Sequence, residues 1–146
     1  VLFDLDLENG WILMSRFEGI TLYESLNQAI EPLEKIRSFG GLIRKLHEIG
    51  FSHGDLTTHN VLIDENNNLH LIDFGLSRIL PELEHLGLDL QVLHECLTAS
   101  HSEYENAVDE LIYGYLNADS GLLGSISSKD VIFRFNEIRG RVRYHA

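Results

Sequence analysis

The sequence predicts a mixed α+β fold that is mainly helical and contains short β-hairpins. Short apolar runs separated by polar turns, in residues 1–14 and 61–72, predict the two hairpins. The 146 residues can bury a sizeable core in one domain, and no apolar run approaches the about 20 residues of a membrane span. Apolar residues recur at helical spacing in four further stretches, residues 33–49, 86–97, 108–115 and 131–138.

The net charge of −12 argues against a general nucleic-acid binder, because phosphate backbones repel an acidic surface. Residues 129–146 differ, since they hold five basic and two acidic side chains. This basic end either docks on an anionic partner or complements the dipole of a last helix, and the sequence favours neither. The single Cys96 lies in an apolar helical pattern, which predicts an inert core thiol in a reducing compartment.

The chain begins with a predicted hairpin. Residues 1–7 form one strand, Asn9 and Gly10 make the turn, and residues 11–14 form the second strand. Thr21 and the glutamate three residues later have the spacing of a capping box, so a short helix should begin there. On these residues alone, the segment is a plain β-hairpin followed by a helix.

A longer helix should open at Pro32, where the missing amide hydrogen does no harm, and end near Gly50, a typical C-cap residue. Gly40 and Gly41 interrupt its apolar pattern and predict a close contact with another helix. His47, near the end of this helix, is predicted to be structural.

Residues 53–75 carry the chemistry. Asp55 precedes Asn60 by five residues, the central hairpin follows, and Asp73 comes directly after its second strand. Since a hairpin brings its ends together, Asn60 and Asp73 can lie side by side and bind one Mg²⁺ through oxygen atoms, with other positions left to phosphate and water. Asp55 can then accept or orient the proton of an attacking hydroxyl or water. The pattern predicts a phosphoryl-transfer site. His53 should pack behind the metal-binding turn and not act as a base.

The segment after Gly75 is a short connection with Pro81 as a breaker. The helix at residues 86–97 is apolar on nearly every side, which predicts a buried helix. Asp89 within it needs hydrogen-bond donors. It either accepts N–H bonds from the 53–60 loop, which we favour, or is an acid stabilised by the helix dipole.

Two more helices complete the predicted fold. Ser102 and Glu105 have capping-box spacing and predict a helix start, and residues 116–125 are rich in Gly and Ser, hence a loop. The last helix should begin at Ser127 or Ser128. Its inward side chains should be Val131, Ile132, Phe135 and Ile138.

The order of Asp55, Asn60 and Asp73 around a hairpin resembles the H-R-D-x-x-x-x-N and D-F-G motifs of protein kinases. Gly54 replaces the Arg of the first motif, so switching through a phosphorylated activation loop is not expected. Thr57 stands where Ser/Thr kinases have a Lys near the γ-phosphate, which should slow transfer. There is no A-P-E motif and almost no activation segment.

The run HGDLTTHN at residues 53–60 is more selective, and with LIDFGLS at 71–77 it resembles the small atypical kinase subunit of the KEOPS/EKC complex, the PRPK family. The sequences DLQVLHE at 89–95 and EIRGR at 137–141 also resemble that family's patterns. His59 departs from them, since the family has Ser there. The resemblance implies a kinase-like fold, ATP and Mg²⁺ as cofactors, and ATP hydrolysis or weak Ser/Thr phosphorylation. It also implies that the chain binds the threonylcarbamoyl transferase and other KEOPS subunits, which modify tRNA. The expected location is the cytoplasm and, in a eukaryote, also the nucleus. No membrane partner is expected.

By position, the resemblance makes residues 1–19 the end of the small lobe and the hinge, and residues 20–146 the helical large lobe with a basic tail at 139–146. Asp55 would be catalytic, and Asn60 and Asp73 would hold Mg²⁺. The nucleotide contacts would come from Met14 behind the adenine, the backbones of Ser15 and Phe17, and the side chains of Leu62 and Ile72.

No Gly-rich loop and no V-A-I-K lysine precede residue 15, so we expect a large-lobe fragment that is inactive alone. A non-catalytic adaptor that binds the transferase subunit is the alternative function. A small-molecule phosphotransferase would need an insertion after residue 75, and the sequence has none.

Overall fold

The computed structural model describes residues 1–144, with side chains described through residue 141. These residues form the expected α+β fold, with helices that outweigh three small antiparallel sheets. The strands are β1 Leu2–Asp6, β2 Trp11–Met14, β3 Ile20–Thr21, β4 Phe51–Ser52, β5 Val61–Ile63, β6 Leu69–Leu71 and β7 Arg78–Ile79. The helices are α1 Leu22–Asn27, α2 Pro32–Glu48, α3 Leu83–Ser100, α4 Ala107–Leu116 and α5 Ser128–Tyr144, with a 3₁₀ helix at Thr58–Asn60.

Strands β1 and β2 form a hairpin of their own, which confirms the predicted pair. The register runs from Leu2 opposite Met14 to Asp6 opposite Trp11. Gly10 closes the turn with φ of +71°, a conformation that suits glycine. Apolar side chains on this hairpin are exposed, because it makes no extensive contact with any other element in the described part of the chain.

Helix α1 begins with the predicted capping box. The Thr21 hydroxyl accepts a bond from the Glu24 amide at 3.1 Å, and the Glu24 carboxylate accepts one from the Thr21 amide at 2.9 Å. Leu22 and Leu26 of this helix are fully buried in the main core. The capping box therefore fixes the residue at which α1 begins.

Helices α2 and α4 pack backbone to backbone through glycines. A Cβ at Gly40 would lie 2.1 Å from the Leu111 carbonyl oxygen, and one at Gly114 would lie 1.9 Å from that of Arg37. The close contact predicted from the glycine pair is thus confirmed at Gly40. Gly41 has only ordinary spacing, with its nearest neighbour at 3.6 Å.

Helix α3 lies against α5 and supports the 53–60 loop. Its inner side chains, among them Leu86, Leu90 and Leu93, are almost fully buried. The helix is less buried than predicted, since Leu88 is 42% exposed. It follows a strand that the sequence did not predict, β7, which pairs with β4 through Phe51 and Ile79. Two residues are too few to show a strand's alternation.

The predicted cap at Ser102 and Glu105 is wrong. Helix α4 begins at Ala107, five residues after Ser102. The intervening residues form turns instead, with the Tyr104 amide bonded to the His101 carbonyl and the Ala107 amide to the Tyr104 carbonyl. The Tyr104 hydroxyl also donates to the Leu26 carbonyl, and this long-range bond holds the segment out of the helix.

A buried polar cluster holds the predicted α4–α5 loop on α2. The Arg44 side chain donates to the Ile126 carbonyl at 2.9 Å and to the Asp119 carboxylate. Glu48 accepts two bonds from Ser120, each at 2.8 Å. These bonds give the buried charges of α2 their partners.

Helix α5 begins at Ser128, one of the two predicted starts, and confirms the inward residues. Val131, Phe135 and Ile138 are buried, and Ile132 is partly buried. Residues 139–144 continue the helix, and residues 145–146 of the predicted tail lie outside the described residues. The division at residue 19 into two lobes stays a prediction.

Candidate active site

The 53–60 loop is held at its start by α3. The Asp89 carboxylate accepts the His53 amide at 2.7 Å and the Gly54 amide at 2.8 Å, so the predicted role of this buried acid is confirmed. Gly54 has φ of +86°, and a Cβ there would lie 2.4 Å from the Leu76 carbonyl oxygen. Only glycine fits this position, which explains why Gly and not Arg precedes Asp55.

Asp89 belongs to a buried chain of polar groups. His47 Nε2 lies 3.0 Å from the Asp89 carboxylate, and His47 Nδ1 lies 2.8 Å from the Tyr115 hydroxyl. Burial lowers the pKa of His47 and raises that of Tyr115, so both groups are neutral. His47 then donates to Asp89 through Nε2 and accepts from Tyr115 at Nδ1. The predicted structural role of His47 is confirmed.

His53 joins the loop to the segment that carries Asp73. Its Nδ1 accepts the Asp55 amide at 3.2 Å, so Nε2 carries the hydrogen and donates to the Ile72 carbonyl at 2.9 Å. The ring is fully buried and lies 4.9 Å from the Phe74 ring. As predicted, His53 packs behind the turn and is not free to act as a base.

Asn60 has a defined amide orientation. Its Nδ2 donates to the Asp55 carbonyl at 2.9 Å and to the Asp55 carboxylate at 3.0 Å. Both partners are acceptors, so the nitrogen must face them and the oxygen must point elsewhere. Among the described residues Oδ1 of Asn60 has no hydrogen-bond partner, which leaves it available as a ligand.

Asp73 lies beside Asn60 through the backbone, since the Ile72 amide donates to the Asn60 carbonyl at 3.0 Å. The central hairpin therefore brings the backbones of Asn60 and Asp73 close together. Asp73 has φ of +60°, in the left-handed region that aspartate adopts more readily than most residues. Its exposed carboxylate accepts one bond, from the Gly75 amide at 3.3 Å.

The donor set fits Mg²⁺. An amide oxygen and a carboxylate are hard ligands, and Mg²⁺ commonly takes one or two protein carboxylates and completes its shell with water and phosphate. In residues 1–144 no group of three or more His, Cys, Asp or Glu side chains is arranged to hold a metal ion. Asn60 and Asp73 alone could supply only part of a Mg²⁺ shell, so water and phosphate would have to supply the rest.

The predicted nucleotide contacts fall into two groups. Leu62 lies on the side of β5 that faces away from the buried core and is paired with His70 of β6. The rings of Phe17 and His70 are 4.3 Å apart. Ile72 follows β6 and is partly buried. Met14 is the last residue of the N-terminal hairpin, and Ser15 follows it.

The hairpin end that carries Met14 and Ser15 is open. Met14 is 62% exposed. The Ser15 amide already donates to the Val1 carbonyl at 2.8 Å, which leaves its carbonyl oxygen as the backbone group for a nucleotide.

The sequence reasoning missed one buried contact of the loop. The Thr58 hydroxyl lies 3.0 Å from Nε2 of His101, which is 43 residues further along the chain, and 3.5 Å from the Cys96 sulfur. No local pattern marks such a pair. Cys96 itself, predicted to be an inert core thiol, is partly buried.

Comparison with known proteins matches the protein kinase domain model over residues 33–109. The chain is 34% identical to a KEOPS complex subunit Bud32 of Pyrococcus abyssi, over 97% of this chain and 64% of that protein. It is 34% identical to a probable serine/threonine-protein kinase BUD32 homolog of Archaeoglobus fulgidus, over 96% of this chain and 65% of the relative. A probable bifunctional tRNA threonylcarbamoyladenosine biosynthesis protein of Methanosarcina mazei is 36% identical over 95% of this chain and 23% of the relative.

The chain thus spans just under two thirds of the Bud32 relatives that it matches. Among the helices in residues 1–144, none is both long enough and apolar enough to cross a bilayer.

Proposed function

Because this chain belongs to the protein kinase family and is of the Bud32 type, we propose that it carries the catalytic half of a Mg²⁺-dependent ATPase or Ser/Thr kinase. The observation that supports this most directly is the bond between Asn60 and Asp55 on a loop that a buried carboxylate supports, with the residue before Asp73 bonded to Asn60. The two-lobe division and the cytoplasmic location expected from the sequence stay predictions.

In the proposed mechanism, Asn60 Oδ1 and the Asp73 carboxylate would hold Mg²⁺, and the bound ion would supply positive charge to the ATP phosphates. The Asp55 carboxylate orients the attacking water or hydroxyl and accepts its proton. The side-chain amide of Asn60 keeps the Asp55 carboxylate in place, because its Nδ2 donates to that carboxylate at 3.0 Å. Thr57 offers no positive charge to the γ-phosphate, so turnover should be slow.

The names of the relatives point to a cellular role. They describe a KEOPS complex subunit and a protein of tRNA threonylcarbamoyladenosine biosynthesis. We propose that this chain likewise works with other KEOPS subunits, including the threonylcarbamoyl transferase, in that modification of tRNA. On this proposal tRNA is contacted indirectly or through the basic tail at residues 139–146, where Arg141 lies 3.7 Å from Glu84 and would exchange that ion pair for a phosphate.

A non-catalytic adaptor is the second candidate, because the chain has an exposed apolar surface that the proposed mechanism does not use. Ile79, Leu80 and Leu123 are 72%, 84% and 97% exposed. Leu80 and Leu123 line a shallow cavity of about 300 Å³. Exposed apolar patches of this kind often mark protein interfaces. An adaptor would use this surface and would not need Asp55, Asn60 or Asp73.

The test is ATP hydrolysis with Mg²⁺ by the full-length protein, with and without the transferase subunit. Asp73→Asn should lower the rate about a hundredfold or more, because it removes charge that stabilises the transition state. Asp109→Asn is the matched control, since Asp109 is exposed on α4 and should leave the rate unchanged. No hydrolysis by the unmodified protein, with the transferase subunit still bound, would refute the enzymatic proposal and leave the adaptor.

A further inference from the structure

We infer that His101 is a positioning residue, which holds the Asn60 end of the catalytic loop in place through the side chain of Thr58. The inference rests on the proposed function, because it treats Asn60 as the metal ligand. It concerns residues that the proposed mechanism does not use.

Thr58 is the first residue of the 3₁₀ helix that ends at Asn60. Its side chain is fully buried, and so is that of His101, which follows the last residue of α3. The hydroxyl of Thr58 and Nε2 of His101 are 3.0 Å apart. The backbone amide of Asn60 donates to the Thr57 carbonyl at 3.1 Å and closes this short helical turn around Thr58. A shift of Thr58 should therefore move Asn60 as well.

The loop is therefore attached to α3 at its start and, near its end, to the residue that directly follows α3. Asp89 binds the amides of His53 and Gly54 at the start of the loop, and His101 binds Thr58 near its end. Twelve residues separate Asp89 from His101, which corresponds to about 18 Å along a helix axis. Asn60 is also bonded to Ile72 and Asp55, and the bond from His101 adds a second attachment of the loop to the α3 end of the fold.

The protonation state of His101 suits this role. Burial lowers the pKa of His101, so the ring is neutral. Its Nδ1 is buried without a hydrogen-bond partner among the described residues. A buried N–H without an acceptor is rarely tolerated, so the hydrogen sits on Nε2 and is donated to the Thr58 oxygen. The Thr58 hydroxyl can then donate to the Cys96 sulfur at 3.5 Å.

Helix α1 adds a second contact to the same part of the loop. The ring of Tyr23 stacks on that of His59 at 4.2 Å and meets the ring of His101 edge-on at 5.1 Å. His59 lies between Thr58 and Asn60. Both residues that precede the metal ligand are thus held by side-chain contacts that converge on His101.

Three variants of the full-length protein test the inference. His101→Phe keeps the ring but removes the hydrogen bond, His101→Gln restores a donor, and Thr58→Val removes the hydroxyl. The first readout is Mn²⁺ binding in the presence of ADP, followed by electron paramagnetic resonance. His101→Phe and Thr58→Val should each weaken Mn²⁺ binding about tenfold, as loss of a supporting contact does at metal sites. The double variant should bind about as weakly as either single variant, because both remove one interaction.

The controls separate positioning from stability. Thr98→Val is the matched surface variant, since the Thr98 hydroxyl bonds only within α3, and Mn²⁺ binding should not change. His101→Gln should recover most of the affinity that His101→Phe loses. Unchanged Mn²⁺ affinity in His101→Phe, together with a lower melting temperature, would show a merely structural role and overturn the inference.

Amide hydrogen exchange supplies a readout that needs no metal. In His101→Phe the backbone amide hydrogen of Asn60 should exchange about fivefold to tenfold faster, as expected when one supporting hydrogen bond is lost. The His53 and Gly54 amides, which Asp89 holds, should keep their rates. If the unmodified protein binds no Mn²⁺, the proposed function fails, and the exchange rates still decide the inference. Equal exchange at Asn60 in both proteins would refute it.

Discussion

Replacing Asp89 with asparagine should destabilise the protein through the 53–60 loop. The carboxylate is 2% exposed, and its two oxygens have different partners. One oxygen accepts the His53 amide and His47 Nε2, and the other accepts the Gly54 amide, at 2.7, 3.0 and 2.8 Å. All of the partners donate, so every position around this group requires an acceptor.

Asparagine has one acceptor oxygen and one donor group. In its better orientation the oxygen keeps His53 and His47, and the new NH₂ faces the Gly54 amide, so two donors meet. A buried donor left without a partner costs about 1–3 kcal/mol, and the two remaining bonds lose their charge assistance. We therefore expect Asp89→Asn to lower the free energy of unfolding by about 2–4 kcal/mol, a large share of the stability of a typical domain.

Urea denaturation at pH 7.5, followed by circular dichroism, measures this difference in the full-length protein. Asp109→Asn is the same chemical change at an exposed carboxylate in the first turn of α4, where the helix dipole favours the charge, and it should lower the free energy of unfolding by less than about 1 kcal/mol. Hydrogen exchange should also be faster at the His53 and Gly54 amides of Asp89→Asn. Equal stability of Asp89→Asn and Asp109→Asn would refute the argument that this carboxylate supports the loop.

Three further predictions concern packing, capping and pH. Gly114→Ala should lower the free energy of unfolding by about 1–2 kcal/mol, because its Cβ would lie 1.9 Å from a carbonyl oxygen of α2. Gly140→Ala has open space around the new Cβ and should raise the free energy of unfolding by up to about 1 kcal/mol. Equal urea midpoints of the two variants would contradict this prediction. Thr21→Ala removes the hydroxyl of the capping box and should lower the free energy of unfolding, measured with urea, by about 1 kcal/mol. An unchanged free energy of unfolding would refute this prediction. Burial lowers the pKa of His47 below its ordinary value of 6.5, so the unfolded chain takes up a proton that the folded protein does not. Stability should therefore be greatest above pH 6.5 and fall on acidification by up to about 1.4 kcal/mol per pH unit from this residue, and His101 acts in the same direction. A free energy of unfolding that is flat from pH 7.5 to 5.5 would contradict the assigned neutral state of these histidines.

Much of the site could be predicted because its signals are local. Asn60 and Asp73 flank one hairpin, so the geometry of that hairpin brings them together whatever the rest of the chain does. Asp89 was also predictable, since an acid in an apolar helix must have donors, and the loop before the hairpin was a source of free N–H groups. The capping box at Thr21 is a contact between residues three apart.

The sequence alone therefore determined the α+β class, most helix starts, the central hairpin and the order of the three polar residues on it. Only the tertiary structure decided which distant groups meet, such as His101 with Thr58 and Tyr104 with Leu26. It also decided that residues 102–106 form turns rather than a helix. The physical reason is range: propensity, capping and hairpin geometry act over a few residues, whereas the partner of a buried polar side chain depends on how whole helices pack.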